Sequence, residues 1–275
     1  MKKKLSLSLL LLFTISILSI SVQAASKETV YVITSVKYDG NSAESKEAYT
    51  QTIAYNNTGL IKTITTPSSE KITESFYYNP SGLLTKYVRK IGAGREKGTV
   101  KCWYEYKKQK LVEKTEKGPG YEAEYEYNWK NGVIASADVE FSETDESGED
   151  GEDNEYVYKY TYKNGNVVKI KENNSIVFNR TVDKNGNVTK QTLTVDGAQI
   201  KTSYYYATIR YDKNQRVSSM TVKARVPMMT AGEKYVKTFT YKKMSVDKEY
   251  APYIKAQQSQ LINASIRGND AEFAW

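Results

Sequence analysis

The 275-residue chain contains no histidine and a single cysteine. Without imidazole there is no Ser-His-Asp or Cys-His nucleophile pair, no His-ligated zinc and no imidazole acid–base step. With Cys102 alone no intramolecular disulfide can form, so burial and strand pairing must hold the fold. With no imidazole to activate it, Cys102 reads as a small buried hydrophobe and not as a nucleophile. Carboxylates are the acid–base equipment that remains, and glycoside hydrolysis would need two of them facing one another across a cleft. Glu122, Glu124 and Glu126 stand two apart on a strand pattern, which makes them neighbours on a solvated face. Gly92-Ala93-Gly94-Arg95-Glu96-Lys97-Gly98-Thr99 lacks the Gly-Lys-Ser/Thr ending of a phosphate loop and reads as a basic hairpin. These scarcities predict a protein that is not an enzyme and carries no cofactor.

The ends predict export. Met1-Lys2-Lys3-Lys4, an apolar run from Leu5 to Ile20 and the small residues Val22 and Ala24 form a signal-peptide pattern over residues 1–24, cleaved after Ala24. An uncleaved anchor is the alternative reading of that run. No cysteine follows the cleavage site, and Ala274-Trp275 ends the sequence without a sorting motif, so the expected product is secreted or extracytoplasmic, loosely associated with the cell surface and without a stable membrane span. Net charge is +8. Setting aside Lys2, Lys3 and Lys4 leaves 37 basic against 32 acidic residues, and eight of those acids fall between Glu143 and Glu155, so the remainder is strongly basic. Such a chain is drawn to anionic wall polymers or headgroups, although lysine also blunts exposed strand edges. Nucleic acid is not an expected partner.

What the chain has in abundance is tyrosine, 24 in all, arranged in a recurring unit. An alternating strand ends in Tyr, a polar turn usually containing Gly follows, and a second strand opens with Val or Leu. Copies are Tyr55-Asn56-Asn57-Thr58-Gly59-Leu60-Ile61, Tyr78-Asn79-Pro80-Ser81-Gly82-Leu83-Leu84, Tyr127-Asn128-Trp129-Lys130-Asn131-Gly132-Val133, Tyr162-Lys163-Asn164-Gly165-Asn166-Val167, Val182-Asp183-Lys184-Asn185-Gly186-Asn187-Val188 and Tyr211-Asp212-Lys213-Asn214-Gln215-Arg216-Val217. Tyr106-Lys107-Lys108-Gln109-Lys110-Leu111 is weaker, and Tyr241-Lys242-Lys243-Met244 reads as truncated. Asn-Gly accepts the positive φ of tight reversals, at Asn131-Gly132, Asn164-Gly165 and Asn185-Gly186. Tyr156, Tyr158, Tyr160 and Tyr162 share one strand face while Val157, Lys159 and Thr161 share the other, the period of an antiparallel sheet wet on one side.

The unit resembles the YD repeat of RHS-type bacterial proteins from about Tyr31 to Tyr241, although the Tyr-Asp pair itself stands only at Tyr38-Asp39 and Tyr211-Asp212. The long arrays of that family build a shell around a toxin; this chain is too short for that, so the resemblance implies hairpin architecture and not the shell function. The expected fold is all-β: tandem antiparallel hairpin repeats over 25–246 forming an extended, twisted or curled meander sheet, with one C-terminal helix in a cap over 247–275. Tyr250, Ile254 and Leu261, with Pro252 at an early position, place that helix between Ala251 and Ala264, where it would cover an open edge.

Two groups of residues are candidate sites. Alternating acids with interspersed Gly in the acidic loop 143–155 suit calcium, with Asp145, Glu149, Asp150, Glu152 and Asp153 as ligands, although the regular EF-hand spacing is missing. Aromatics on both faces of a strand, at Phe76, Tyr77, Trp103, Tyr104, Tyr204, Tyr205 and Tyr206, mean that one set lies outside as a binding patch. The leading expectation is therefore a non-catalytic binding or scaffold protein for a cell-wall polymer or glycan. A structural or protein-interaction module, a carboxylate-dependent hydrolase and a carrier of an apolar ligand, with the helix as plug, are the alternatives.

Overall fold

The computed structural model describes residues 26–41, 48–94, 97–144, 150–225 and 232–264. The predicted signal segment and the tips of several connections, including 145–149, lie outside those residues. Sixteen strands follow in order: β1 (Lys27–Asn41), β2 (Tyr49–Tyr55), β3 (Ile61–Thr66), β4 (Ile72–Tyr78), β5 (Leu84–Ile91), β6 (Gly98–Lys107), β7 (Lys110–Gly118) and β8 (Tyr121–Lys130). Then come β9 (Val133–Thr144), β10 (Asp150–Lys163), β11 (Asn166–Glu172), β12 (Ile176–Val182), β13 (Val188–Val195), β14 (Ala198–Tyr211), β15 (Val217–Arg225) and β16 (Glu233–Asp247), before the helix α1 (Ala251–Asn263).

Every strand pairs antiparallel with its sequence neighbours, and β1 pairs with β16, closing the ring. This corrects the expected open meander sheet. The β1–β16 seam runs from Lys27↔Asp247 to Asn41↔Lys234, so the first and last strands pair with each other along their length. An open sheet would present two such rows to solvent, and closure removes both.

A single bulge repeated at one end explains how the sheet curls. The register shifts just before each of the seven repeat turns, where Tyr55 meets Ile61, Tyr78 meets Leu84, Tyr106 meets Leu111, Trp129 meets Ile134, Tyr162 meets Val167, Val182 meets Val188 and Tyr211 meets Val217. A bulge bends its strand and increases local twist, so a ring of them at one rim turns the sheet in one sense. One more shift of this kind lies on the closing seam, where Tyr241 meets Ile33, and two others lie away from the repeat turns, in the β9–β10 and β13–β14 pairings. The copy at Tyr241 is thus not truncated: β1, from the other end of the chain, is its return strand. The copy read from Tyr127 also shifts by two residues, because Trp129 holds the position that Tyr holds elsewhere.

The turns are of two chemical kinds. Asn131-Gly132 and Asn164-Gly165 have two consecutive residues at positive φ, the conformation a two-residue hairpin needs. Asn56, Asn79, Asp183 and Asp212 build longer turns. Each side-chain Oδ1 accepts backbone N–H groups two and four residues on, as Asp183 does from Asn185 at 2.8 Å and Asn187 at 3.0 Å. At Asn185-Gly186 only Gly186 has positive φ, so this Asn-Gly closes the wider turn and not a two-residue one. The second position of the repeat is therefore Asn or Asp where the turn is long, and is free to be Lys where it is short.

The helix forms where its spacing places it, with Pro252 in its first turn. It caps no open sheet edge, since the described strands close into a ring; it plugs the barrel at the rim of repeat turns. Ile254 and Ala251 are fully buried with Val30, Val32, Leu60 and Val246, and Leu261 and Ile262 join the larger core of Ile33, Ile61, Val188, Met220 and Phe239. Gln257, Gln258, Gln260 and Asn263 are buried too, and three of them meet backbone groups at the bulges. Ile33 N–H donates to Gln258 Oε1 at 2.6 Å, Ile61 N–H to Gln257 Oε1 at 3.0 Å and Val188 N–H to Asn263 Oδ1 at 3.1 Å. Bulges free backbone donors, and a buried free donor is costly, so a polar helix is the plug this rim requires.

Candidate functional site

The closed barrel has two surfaces on which a ligand could sit. Inside, beneath the helix, is a chamber of about 300 Å³ bounded by β2 to β8. Its upper wall is apolar, with Ile61, Ile64, Phe76 and Leu84 below Tyr253 and Leu261 of the helix. Its remaining wall holds charge: Glu74, Arg89, Lys114 and Glu116, with Tyr87, Tyr104 and Tyr121 beside them.

These charges reach the interior because each occupies an inward position of an alternating strand, Glu74 between Ile72 and Phe76, and Arg89 between Tyr87 and Ile91. Lys114 binds Glu116 at 2.8 Å, and Glu116 also accepts the Tyr121 hydroxyl at 2.8 Å. Burial raises the Glu116 carboxyl, but the Lys114 ammonium and these hydrogen bonds outweigh it and hold it below the usual carboxylate range. Glu74 goes the other way: burial pushes its carboxyl up, against the Tyr87 hydroxyl donating at 2.6 Å and the nearby Arg89. Cys102 lies buried in the same wall, and desolvation pushes its thiol up to about 12, in keeping with an inert thiol. The two carboxylates belong to β4 and β7, three strand spacings apart, roughly 14 Å at the backbone. Glu116 is already engaged by its neighbours as a structural anion.

Outside, the strands present charge and hydroxyls. One row crosses β6 to β9 as Glu105, Glu113, Glu126 and Asp138, and the next as Trp103, Thr115, Glu124 and Glu140. Partial desolvation and the neighbouring Glu105, Glu124 and Glu126 raise the Glu113 carboxyl, the signature of crowded like charges on one face. The Glu122, Glu124, Glu126 row is thus placed outside, as its alternation implied.

The seven residues of the expected aromatic patch divide between the surfaces. Phe76 and Tyr104 line the chamber, and Tyr205 is buried in the core at 4 % exposure. Tyr77 and Trp103 lie outside on either side of Lys86, whose ammonium stands 5.8 Å and 5.9 Å from the two ring centres. Tyr204 and Tyr206 lie outside together, 5.4 Å between ring centres, over a shallow depression shared with Thr208, Thr221 and Lys223. Among the described residues the large apolar side chains that remain exposed are Tyr31, Tyr77 and Tyr206, and each has a cation over its ring: Arg216 at 4.3 Å, Lys86, and Lys190 at 5.7 Å. The structure therefore does not assemble the seven into one patch.

The acidic loop is largely the extended hairpin of β9 and β10. Asp145 and Glu149 lie outside the described residues, and of the five expected ligands only the Asp153 side chain is described; it is exposed. Among the described residues no cluster of three or more metal-ligating side chains occurs. The chamber residues Glu74, Arg89, Lys114 and Glu116 escaped the sequence reading. Their one sequence signal is a charge standing on the apolar parity of its own strand.

No family model matches the chain, and no curated protein matches it. Among solved structures it is similar to a porin-like protein from Bacteroides uniformis, at 11 % identity and TM-score 0.43 over 76 % of this chain and 96 % of that one. It is also similar to a porin-like protein from Bacteroides vulgatus, at 12 % identity and TM-score 0.39 over 76 % and 98 %. A third likeness, to the Photorhabdus luminescens Tc holotoxin pore, has 12 % identity and TM-score 0.22 and covers 74 % of this chain but 15 % of that one.

Proposed function

We propose that this is an exported, water-soluble, non-catalytic barrel that recognises an anionic cell-wall polymer or extracellular glycan through its outer face. The observation that carries the reading is the pairing of each large aromatic exposed among the described residues with a cation, at Tyr77–Lys86–Trp103, Lys190–Tyr206 and Tyr31–Arg216. The ring face that its cation leaves uncovered stacks on a sugar while that ammonium or guanidinium meets the sugar's acidic substituent. The outward Glu105, Glu113, Glu126 and Asp138 favour water over lipid around this barrel, since a charge facing lipid at mid-membrane costs about 2 to 4 kcal/mol for a cation and less for an acid. The bulged hairpin ring fits a short, closed relative of the YD-type repeat arrays.

Co-sedimentation with purified wall and a glycan array test this reading. Binding that weakens steeply with salt, and that falls at least about tenfold in Trp103→Ala or Tyr206→Ala, is expected from loss of a stacked ring. Failure to bind either material at any ionic strength overturns it and leaves a purely structural or protein-interaction role.

A further inference from the structure

The chamber under the helix has a chemistry that its own residues do not complete. Lys114 and Glu116 neutralise each other. Glu74 and Arg89 face each other directly across β4 and β5, yet no ion pair within 4 Å joins them among the described residues. One oxygen of Glu74 accepts the Tyr87 hydroxyl, and the other has no hydrogen-bond donor among the described residues. Arg89 lines the chamber with its five guanidinium N–H donors unbonded by any described residue. An inward arginine beside a half-satisfied carboxylate, with an apolar wall above, is a complementary set: one anion, one cationic donor and one apolar group.

We propose that the chamber binds a small amphipathic zwitterion of the apolar α-amino-acid class. Its carboxylate sits on Arg89, its ammonium on the free oxygen of Glu74, and its side chain rises against Phe76, Ile64 and Leu261. A guanidinium matches a carboxylate in bidentate fashion, and the adjacent Glu74 carboxylate holds an ammonium one carbon away from the ligand's carboxylate, as the α-amino acid requires. A simple carboxylic acid would meet repulsion from Glu74, and a simple amine would meet repulsion from Arg89. The volume agrees: about 300 Å³ holds roughly ten water-sized groups at about 30 Å³ each, the scale of leucine or phenylalanine. Four charged side chains with no net charge likewise favour a neutral zwitterion over either ion.

Calorimetry on the mature chain tests this with L-leucine and L-phenylalanine against 4-methylpentanoate, 3-phenylpropanoate, 3-methylbutylamine and phenethylamine. The amino acids should bind, and removing either charged group should weaken binding about tenfold or more, the fold-change expected for one charge-assisted hydrogen bond. Arg89→Leu should abolish the preference for amino acid over amine, and Glu74→Gln, which keeps an acceptor for Tyr87, should abolish the preference over acid. Ala264→Trp, at an exposed position on the chamber's roof, should block binding while leaving the fold intact and keeps the test open if Arg89→Leu fails to fold. Absence of binding by both amino acids, equal binding of acid, amine and amino acid, or unchanged binding in Ala264→Trp would each overturn the proposal.

Discussion

Lys237 is the residue at which burial and charge conflict most. Its side chain is wholly buried, its ammonium reaches, among the described residues, the Ile262 carbonyl at 3.3 Å and the face of Tyr38, and desolvation lowers its pKa to about 7. The unfolded chain keeps this proton up to about pH 10.5 while the folded chain releases it near 7. The unfolded state therefore binds more protons across that window, and stability rises with pH through it. Below pH 7 the group opposes folding by roughly 4 to 5 kcal/mol at most. Lys237→Met should raise the urea midpoint at pH 6 and flatten the rise between pH 7 and 9; an unchanged slope would assign the effect to other groups. Above about pH 10 the buried tyrosines, raised by desolvation, act in the opposite sense: the unfolded chain loses their protons first, and stability falls. Cys102 gives a second test at this scale. With its thiol pushed up to about 12 it should resist a thiol reagent in the native protein and react only at the rate of unfolding. That Cys102 would be buried was readable from the absence of histidine, whereas the buried charge of Lys237 was not, because outward and inward lysines look alike until the strand's phase is known.

The repeat unit is the element that organises the chain, and its tyrosine turns out to be a fastener. The Tyr55 hydroxyl donates to the Ile33 carbonyl at 2.5 Å, Tyr78 to Ile61 at 2.8 Å and Tyr241 to Val217 at 2.9 Å, and the Trp129 indole N–H donates to Leu111 at 2.7 Å. In each case the partner is the return-strand residue paired at the bulge of the preceding unit, so the ring-bearing residue of one unit is tied to the bulge of the one before it. Tyr78→Phe should cost about 1 to 3 kcal/mol, because it removes a buried donor from Ile61 and an acceptor from Gln257, and a thermal melt would show it. Gln258→Leu should cost a similar amount by stranding the Ile33 N–H, whereas Lys255→Ala, on the exposed side of the helix, should cost under about 0.5 kcal/mol. Existence and phase of the hairpins were legible from Asn-Gly pairs and alternation. The phase at Trp129 was not, because Tyr127 and Trp129 both suit an inward position and only the bulge decides between them.

At the scale of the whole molecule the decisive contact joins residues some 200 positions apart. Alternation records which face of a strand is wet, and turn chemistry records which strands are neighbours. Neither records whether the first strand meets the last, so an open meander was the natural expectation. Two features hinted at closure: a last copy with no return strand of its own, and a first strand whose Val30, Val32, Ile33 and Val36 demand cover. The helix follows the same logic, since its buried glutamines make sense only against bulges that a ring of hairpins generates. The chamber depends on closure as well, because Glu74 and Arg89 would face open solvent on a flat sheet. One measurement bears on this most directly. In a Cys102→Ala background, cysteines placed at the paired outward positions Lys37 and Thr238 lie on adjacent strands of the seam, within reach of a disulfide in a closed ring. The account predicts rapid, near-complete intramolecular cross-linking in the native monomer and an upward shift in melting temperature. Free thiols that stay reduced, or cross-links that form only between molecules, would contradict it.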